Sequence, residues 1–352
     1  MHPTRLPIPE AVRARHAPYF ESPRTGGVYR NPWPHPRLPK VMDVLRWKVG
    51  GKSAQRPVGY RVAPLPVVPD ALARFEAAPG APSRLFWIGH ASFLLELDGA
   101  RFVIDPIFGR AGGLVARVTP PAAQPEQLKN LSAVLVTHGH HDHLDPDALR
   151  RIALANAGSL PFVVPRGLGV ALPRECAPVI ELDWWEYVTL DGVRVHLVPA
   201  QHWHRRGMLD ENKSLWGAYM LEGTHRIYHS GDTGYFGGFS ALGELFGGID
   251  AACLPLGAYE PRWFMGAQHM SPEQSLQALL DMRATHFVGM HWGAYDLSDE
   301  ALEAGPELVR DVAQEAGVPS SRLHIVLPGG FVDLHGSRGE TVATEEQPHR
   351  AR

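Results

Sequence analysis

Thr137-His138-Gly139-His140-His141-Asp142-His143-Leu144-Asp145 is the stretch on which the reading of this chain turns. It follows an apolar run, Ala133-Val134-Leu135-Val136, that reads as a buried strand. It precedes Pro146, where Asp145 is placed to cap a helix running to about Ala157. In an extended or looped backbone, residues two apart project to the same side, so His138 and His140 can converge on one cation. Asp142 and His143, at the turn into the helix, can face a second. Neutral imidazole nitrogens and a carboxylate are ligand types that suit zinc and related borderline metals. A purification tag would be terminal and uninterrupted, and a casual polar loop is rarely held between a buried strand and a capped helix. His141 falls outside the alternating register and reads as a supporting or solvent-facing residue.

Outward from this loop the texture is short strands interleaved with helices. On the N-terminal side, Leu85–Ile88, Ser92–Leu97 and Arg101–Ile104 read as strands, the last two joined by the hairpin signal Asp98-Gly99. On the C-terminal side, strands are expected over Val193–Val198, Trp216–Leu221, Arg226–His229, Ala251–Leu254 and His286–Met290. Ser271-Pro272-Glu273-Gln274 has capping-box spacing and opens an amphipathic helix through Leu276, Leu279 and Leu280; another helix fits Glu303 to Ala316. With no linker between the halves, the pattern predicts one layered α/β body over residues 71–340. Residues 341–352 read as a flexible tail.

The chain has 352 residues, 44% hydrophobic and 20% charged, which is the range of globular proteins and excludes a fibrous repeat or wholesale disorder. No apolar run approaches the ~20 residues that span a bilayer, and the proline-broken start offers no secretory hydrophobic region, so an intracellular protein is expected. Cys176 and Cys253 are too few and too far apart for a disulfide framework and read as small buried hydrophobes. Charge is uneven. Residues 1–61 hold twelve Lys/Arg against three acids, +9, while the whole chain is -3. This proline-rich arm, residues 1–70, is expected to pack on the body, and its basicity suits either the acidic remainder of its own chain or an anionic surface. Within it, Lys40 to Lys48 reads as a short amphipathic helix, fit for self-packing or for a membrane interface.

His-x-His-x-Asp-His resembles the signature of the metallo-β-lactamase fold superfamily. The resemblance implies an αββα sandwich, two packed β-sheets with helices on the outer faces, and a binuclear metal centre. It implies three further ligands: His202 to join His138 and His140, His291 to join Asp142 and His143, and Asp232 to bridge both. Two cations ~3.5–4 Å apart need several ligands and a shared anion against their mutual repulsion, which seven such groups supply. His204 competes with His202 for its place, and His229 is offset from the glycine-flanked Asp232 and reads as strand core. Asp105 and His90 either orient a histidine ligand or are ordinary turn residues.

Further words are similar to the N-acyl-phosphatidylethanolamine-hydrolysing phospholipase D family, from about Asn31 to Leu334: Asn31-Pro32-Trp33-Pro34, Val44-Leu45-Arg46-Trp47, Trp87-Ile88-Gly89-His90-Ala91, Asp105-Pro106-Ile107-Phe108, Gln201-His202-Trp203, Gly231-Asp232-Thr233-Gly234-Tyr235 and Gly257 to Met265 with Gln268-His269. That resemblance implies a phosphodiesterase in which a metal-bridging hydroxide attacks phosphorus, with Asp142, Asp232 and His269 catalytic. His269 then positions substrate or leaving group, while Glu260 and Arg262 read as a structural ion pair. Two divalent ions are implied, Zn2+ first, with Mn2+ or Fe2+ as alternatives. The expected partner is a small-molecule or phospholipid substrate. The arm allows peripheral contact at the inner membrane surface of a cytoplasmic protein; no nucleic acid is expected, and a homodimer is left open. Two other readings stay open: a lactonase or other ester or amide hydrolase of the same fold, and a non-hydrolytic metal protein.

Overall fold

The architecture, taken from a computed structural model, is described for residues 2–39, 41–50, 56–78, 80–156 and 158–335. The expected tail at 341–352 lies outside them, as do Lys40 and Ala157 at the ends of two expected helices. Two sheets face each other. One has, in order, strands Phe331–Leu334, Ser83–Gly89, Ser92–Leu97, Ala100–Ile104, Ala133–Leu135, Phe162–Pro165 and Val179–Leu182. The other runs Thr4–Arg5, Glu186–Leu190, Val193–Val198, Ala218–Glu222, Arg226–His229, Ile249–Pro255, Ala284–Met290 and Leu323–His324.

Why the strands of the first sheet lack a polar alternation is clear from their two burials. Leu85, Trp87, Phe93 and Leu95 point into the core shared with Val195, Leu197 and Tyr219 of the facing sheet. Phe86, Ile88 and Leu94 point the other way, onto Phe75 of helix Ala71–Ala77 and onto Leu149 and Ile152 of helix Pro146–Ala155. A strand covered on both faces is apolar throughout. Helices Gly238–Phe246, Pro272–Asp281 and Ala304–Glu315 pack against the second sheet and one another, completing the αββα sandwich that the sequence implied. The expected caps form: Asp145 accepts from the backbone N–H groups of Asp147 and Ala148, and Ser271 and Gln274 make a reciprocal capping box.

Sequence patterning overlooked strands Phe162–Pro165, Val179–Leu182, Glu186–Leu190 and Phe331–Leu334 and helix Gly238–Phe246. Three of these strands are short and lack a hairpin signal; Glu186–Leu190 does carry one, Asp191-Gly192, which joins it to Val193–Val198 and went unused. The helix contains two glycines, Gly238 and Gly243, and its propensity is correspondingly poor.

The N-terminal arm runs along this body. Thr4 and Arg5 pair with Tyr187 and Glu186 at the edge of the second sheet. Helix Val41–Val49 sets Trp47 against Phe264, ring centroids 4.9 Å apart, and the Trp47 indole donates to Asp299 Oδ1 at 3.0 Å. Its other side is open: Met42, Leu45 and Val49 are 70%, 53% and 77% exposed. No helix among the described residues is long and apolar enough to cross a membrane.

Candidate metal centre

Every candidate ligand lies just beyond the end of a strand, on one rim of the sandwich. Strand Ala133–Leu135 delivers His138 to His143, Val193–Val198 delivers His202, Arg226–His229 delivers Asp232, and Ala284–Met290 delivers His291. Gly231 sits at φ 54°, and a Cβ there would come within 3.0 Å of the Thr137 side chain, so the loop carrying Asp232 requires glycine. Gly139 is needed for space: a Cβ would overlap the His204 ring and Leu168. His204 is thereby accounted for. It is a buried ring under the loop, and His202 faces the ligands.

The seven predicted groups form two clusters joined by one carboxylate. In the first, His140 Nδ1 lies 3.1 Å from His138 Nε2 and 3.0 Å from His202 Nε2, with Asp232 Oδ2 3.8 and 3.9 Å from the latter two nitrogens. In the second, His143 Nε2 and His291 Nε2 are 3.3 Å apart, and Asp232 Oδ1 lies 3.1 and 3.0 Å from them. Asp142 Oδ2 completes that cluster, 3.8 Å from His143 Nε2 and 3.6 Å from His291 Nε2. His90, absent from the predicted ligands, joins it with Nε2 3.3 Å from Asp142 Oδ2 and its ring 4.1 Å from that of His291.

The tautomers are fixed from behind. Asp105 accepts from the Thr137 N–H and hydroxyl and from His143 Nδ1 at 2.7 Å, which turns the His143 Nε2 lone pair into the cluster. The Thr137 hydroxyl, committed to Asp105, accepts from His138 Nδ1 at 3.0 Å; His202 Nδ1 donates to the Gln268 carbonyl at 3.2 Å. Inward nitrogens of His138 and His202 are therefore lone pairs. Nitrogen ligands 2.0–2.1 Å from a tetrahedral cation lie about 3.3 Å from each other, close to the separations seen. Asp232 Oδ1 and His269 Nδ1, both buried, have no hydrogen-bond partner of acceptable geometry. The residues present fit a cation in each cluster.

Electrostatics agree. Burial, then the neighbouring rings, push His138 and His202 well below the ordinary histidine range, and burial takes His140 down to about 3. These rings are neutral donors. Burial alone would raise the Asp232 carboxyl, but His143, His291 and His269 hold it well below the usual carboxylate range; Asp142 behaves alike beside His143, His291 and His90. Conversely, His291 rises against burial to about 9 because of Asp232 and Asp142, and His143 is raised as well. Without a cation, protons on these two rings balance the carboxylates; ligation displaces them. His90, His291 and Asp105 all have φ between 45° and 60°, local strain on the order of 1–3 kcal/mol each that clusters where geometry is imposed for function.

His269 lies beside both clusters, Nδ1 3.8 Å from Asp232 Oδ2, and burial lowers it to about 4. The expected Glu260–Arg262 ion pair is not formed. The Arg262 guanidinium instead donates to the Tyr259 and His269 carbonyls and to Gln274 Oε1, fastening the loop that carries His269. His141 is exposed, and His229 is strand core, bonded to the Ala91 carbonyl and the Gly231 N–H. Cys176 and Cys253 are buried. Sequence reading missed Arg117, a part-buried side chain against Gly89, which donates to the carbonyls of Ile107 and Thr119 and to the Tyr295 hydroxyl. Nothing in its local sequence marks it.

Beside the first cluster a cleft of about 680 Å³ opens, lined by Leu38, Pro39, Met42, Val44, Trp203 and Phe264 with the cations Arg37 and Arg205 at its wall. Trp203 bounds both places, its ring 4.9 Å from that of His140.

The chain has recognisable relatives among known proteins. Residues 100–292 match the family described as Beta-lactamase superfamily domain. The N-acyl-phosphatidylethanolamine-hydrolyzing phospholipase D 1 of Caenorhabditis elegans is 35% identical over 228 residues, which are 60% of this chain and 64% of that protein, so the chain spans slightly less than two thirds of this relative. An uncharacterized protein of Mycobacterium tuberculosis is 34% identical over 308 residues, 84% of this chain and 79% of the relative. Among solved structures, Igni18, a metallo hydrolase from the archaeon Ignicoccus hospitalis, superposes with a TM-score of 0.55 at 24% identity, covering 71% of this chain and 97% of its own, a likeness of fold.

Proposed function

The chain belongs to the Beta-lactamase superfamily domain family, and from that premise we propose that it is a metal-dependent hydrolase of phosphodiester lipids, a phospholipase D-type enzyme. The observation that carries this reading is the pair of histidine–carboxylate clusters sharing Asp232. His138, His140 and His202 would hold one divalent ion, Asp142, His143 and His291 the other, and Asp232 both. When bound, such ions lower the pKa of water and offset the charge that develops on a phosphoryl group, so that neither a serine nor a cysteine nucleophile is needed.

The chain's own residues do the rest. Asp105, Thr137 and the Gln268 carbonyl hold the ligating rings in one tautomer. His269, with a buried unpartnered nitrogen at the shared carboxylate, orients the scissile group or the leaving alcohol. Trp203 separates the polar centre from the apolar cleft, an arrangement suited to an anionic headgroup with an acyl chain. The reaction class also draws on the named activity of the nematode relative. The exposed Met42, Leu45 and Val49, next to the basic residues of the arm, are the surface we assign to lipid contact at a membrane.

A panel of phosphodiester lipids, lactones and simple esters, assayed with protein reconstituted in Zn2+ and in Mn2+, tests this. Release of an alcohol from the phosphodiester lipid, abolished by chelation, is expected. Turnover of lactones with none of phosphodiesters would replace the substrate class and keep the metal centre.

A further inference from the structure

The Asn31-Pro32-Trp33-Pro34 segment lies in the basic arm, far in sequence from every ligand, and the reaction as proposed makes no use of it. Yet Asn31 and Trp33 are buried, 8% and 4% exposed. The Asn31 amide donates from Nδ2 to the backbone carbonyl of His202 at 3.0 Å, while its own Oδ1 meets no partner. Trp33, stacked between Trp184 and Phe236, donates from Nε1 to Gln201 Oε1 at 3.1 Å.

Gln201 is itself a knot. Its N–H donates to the Thr233 hydroxyl, its carbonyl accepts from the Gly234 N–H, and its Nε2 donates to the Ala267 carbonyl. The 201–202 loop is thus tied to the loop of Asp232 and to the loop of His269, and the arm supplies the remaining side. Without Asn31 the His202 carbonyl faces a buried site with no donor. An unsatisfied buried carbonyl is unfavourable and relaxes by moving, which carries the imidazole with it. Among the described residues, the arm makes no such contact with the second cluster.

We infer that Asn31 and Trp33 are positioning residues that set His202 for metal, so that the arm forms part of the first metal site and serves more than surface attachment. This rests on the metal-centre reading above. Groups behind a ligand characteristically tune affinity 10–100-fold.

The test is titration of metal-stripped protein with Co2+, followed by visible absorption and by competition with a chelator, for the wild type, H202A, N31D and W33F. N31D sets an oxygen against the His202 carbonyl; W33F keeps an aromatic ring in the stack while removing the indole N–H and part of the ring's bulk. Expected is selective loss: one of two equivalents weakened about 10–100-fold in N31D and less in W33F, with the second unchanged and metal-free thermal unfolding close to wild type. Should N31D not fold, W33F decides alone. Two full-affinity equivalents in both arm variants, while H202A loses one, would overturn the positioning role and leave the metal centre standing. Equal weakening of both equivalents with a drop in metal-free stability would reduce the arm to a general support, which also overturns it. No uptake by the wild type would remove the metal centre and this inference together.

Discussion

The strand Ala284–Met290 carries a histidine pairing at its start and a histidine cluster just past its end, and the two resolve close nitrogens differently. At the start, His286 Nδ1 meets His324 Nε2 at 2.8 Å. One ring donates, the other accepts, and a single proton settles the contact. Past the end lie His291 and the clusters around Asp232. There His140 Nδ1 is within 3.1 Å of two nitrogens whose rings have already spent their N–H groups on Thr137 and Gln268. His140 can donate to only one of them. Three converging lone pairs are unfavourable without a cation, and this excess of acceptors distinguishes a ligand set from a core pairing.

Predictions follow from removing either kind of contact. The largest effect is expected at the shared carboxylate: D232N should lose bound metal, measured by elemental analysis, and lower turnover at least ~10³-fold, since the bridging charge is worth several kcal/mol, with the circular dichroism spectrum retained. A variant with full metal and full activity contradicts the assignment. Next is D105N, which weakens the acceptor behind His143 and Thr137; metal affinity should fall about 10–100-fold by chelator competition.

A structural network elsewhere supplies the pH contrast. Glu222 is held at about 2 by His196, against burial, with Arg226 and Arg194 assisting. A carboxyl depressed in the folded state contributes stability that is present above its ordinary range near 4.5 and lost as pH falls toward 2. E222Q should therefore cost on the order of 2 kcal/mol at neutral pH, the gap from wild type closing through that acid window in denaturant melts. Smallest is H324L at the paired site, about 1 kcal/mol in stability with metal content unchanged. A loss of metal in H324L would erase the distinction between the two ends of the strand.

How far the sequence spoke depends on distance along the chain. His138, His140, Asp142 and His143 were legible because one loop after one strand presents them together. His202 could be chosen over His204 only by resemblance; space beneath Gly139 decides it physically, and that space is tertiary. His90 was seen as an orienting or turn residue, yet it sits against Asp142, because its left-handed backbone turns the ring into the second cluster. The ion pair expected of Glu260 and Arg262 failed for a local reason: carbonyls of Tyr259 and His269 lie closer to the guanidinium than the carboxylate does, and the part-buried arginine serves them. Asn31 was visible only as a word, its partner being 171 residues away.

That separation shapes how the molecule comes into being. On a ribosome the segment holding Asn31 and Trp33 emerges early, but the surfaces that receive it, around Gln201 and Phe236, are made much later, and Asp299 later still. During that interval a cationic, tryptophan-bearing stretch has nowhere of its own to go. Closing such distant contacts is slow, so final docking of the arm and maturation of the first metal site are expected to be late events in the life of a newly made chain.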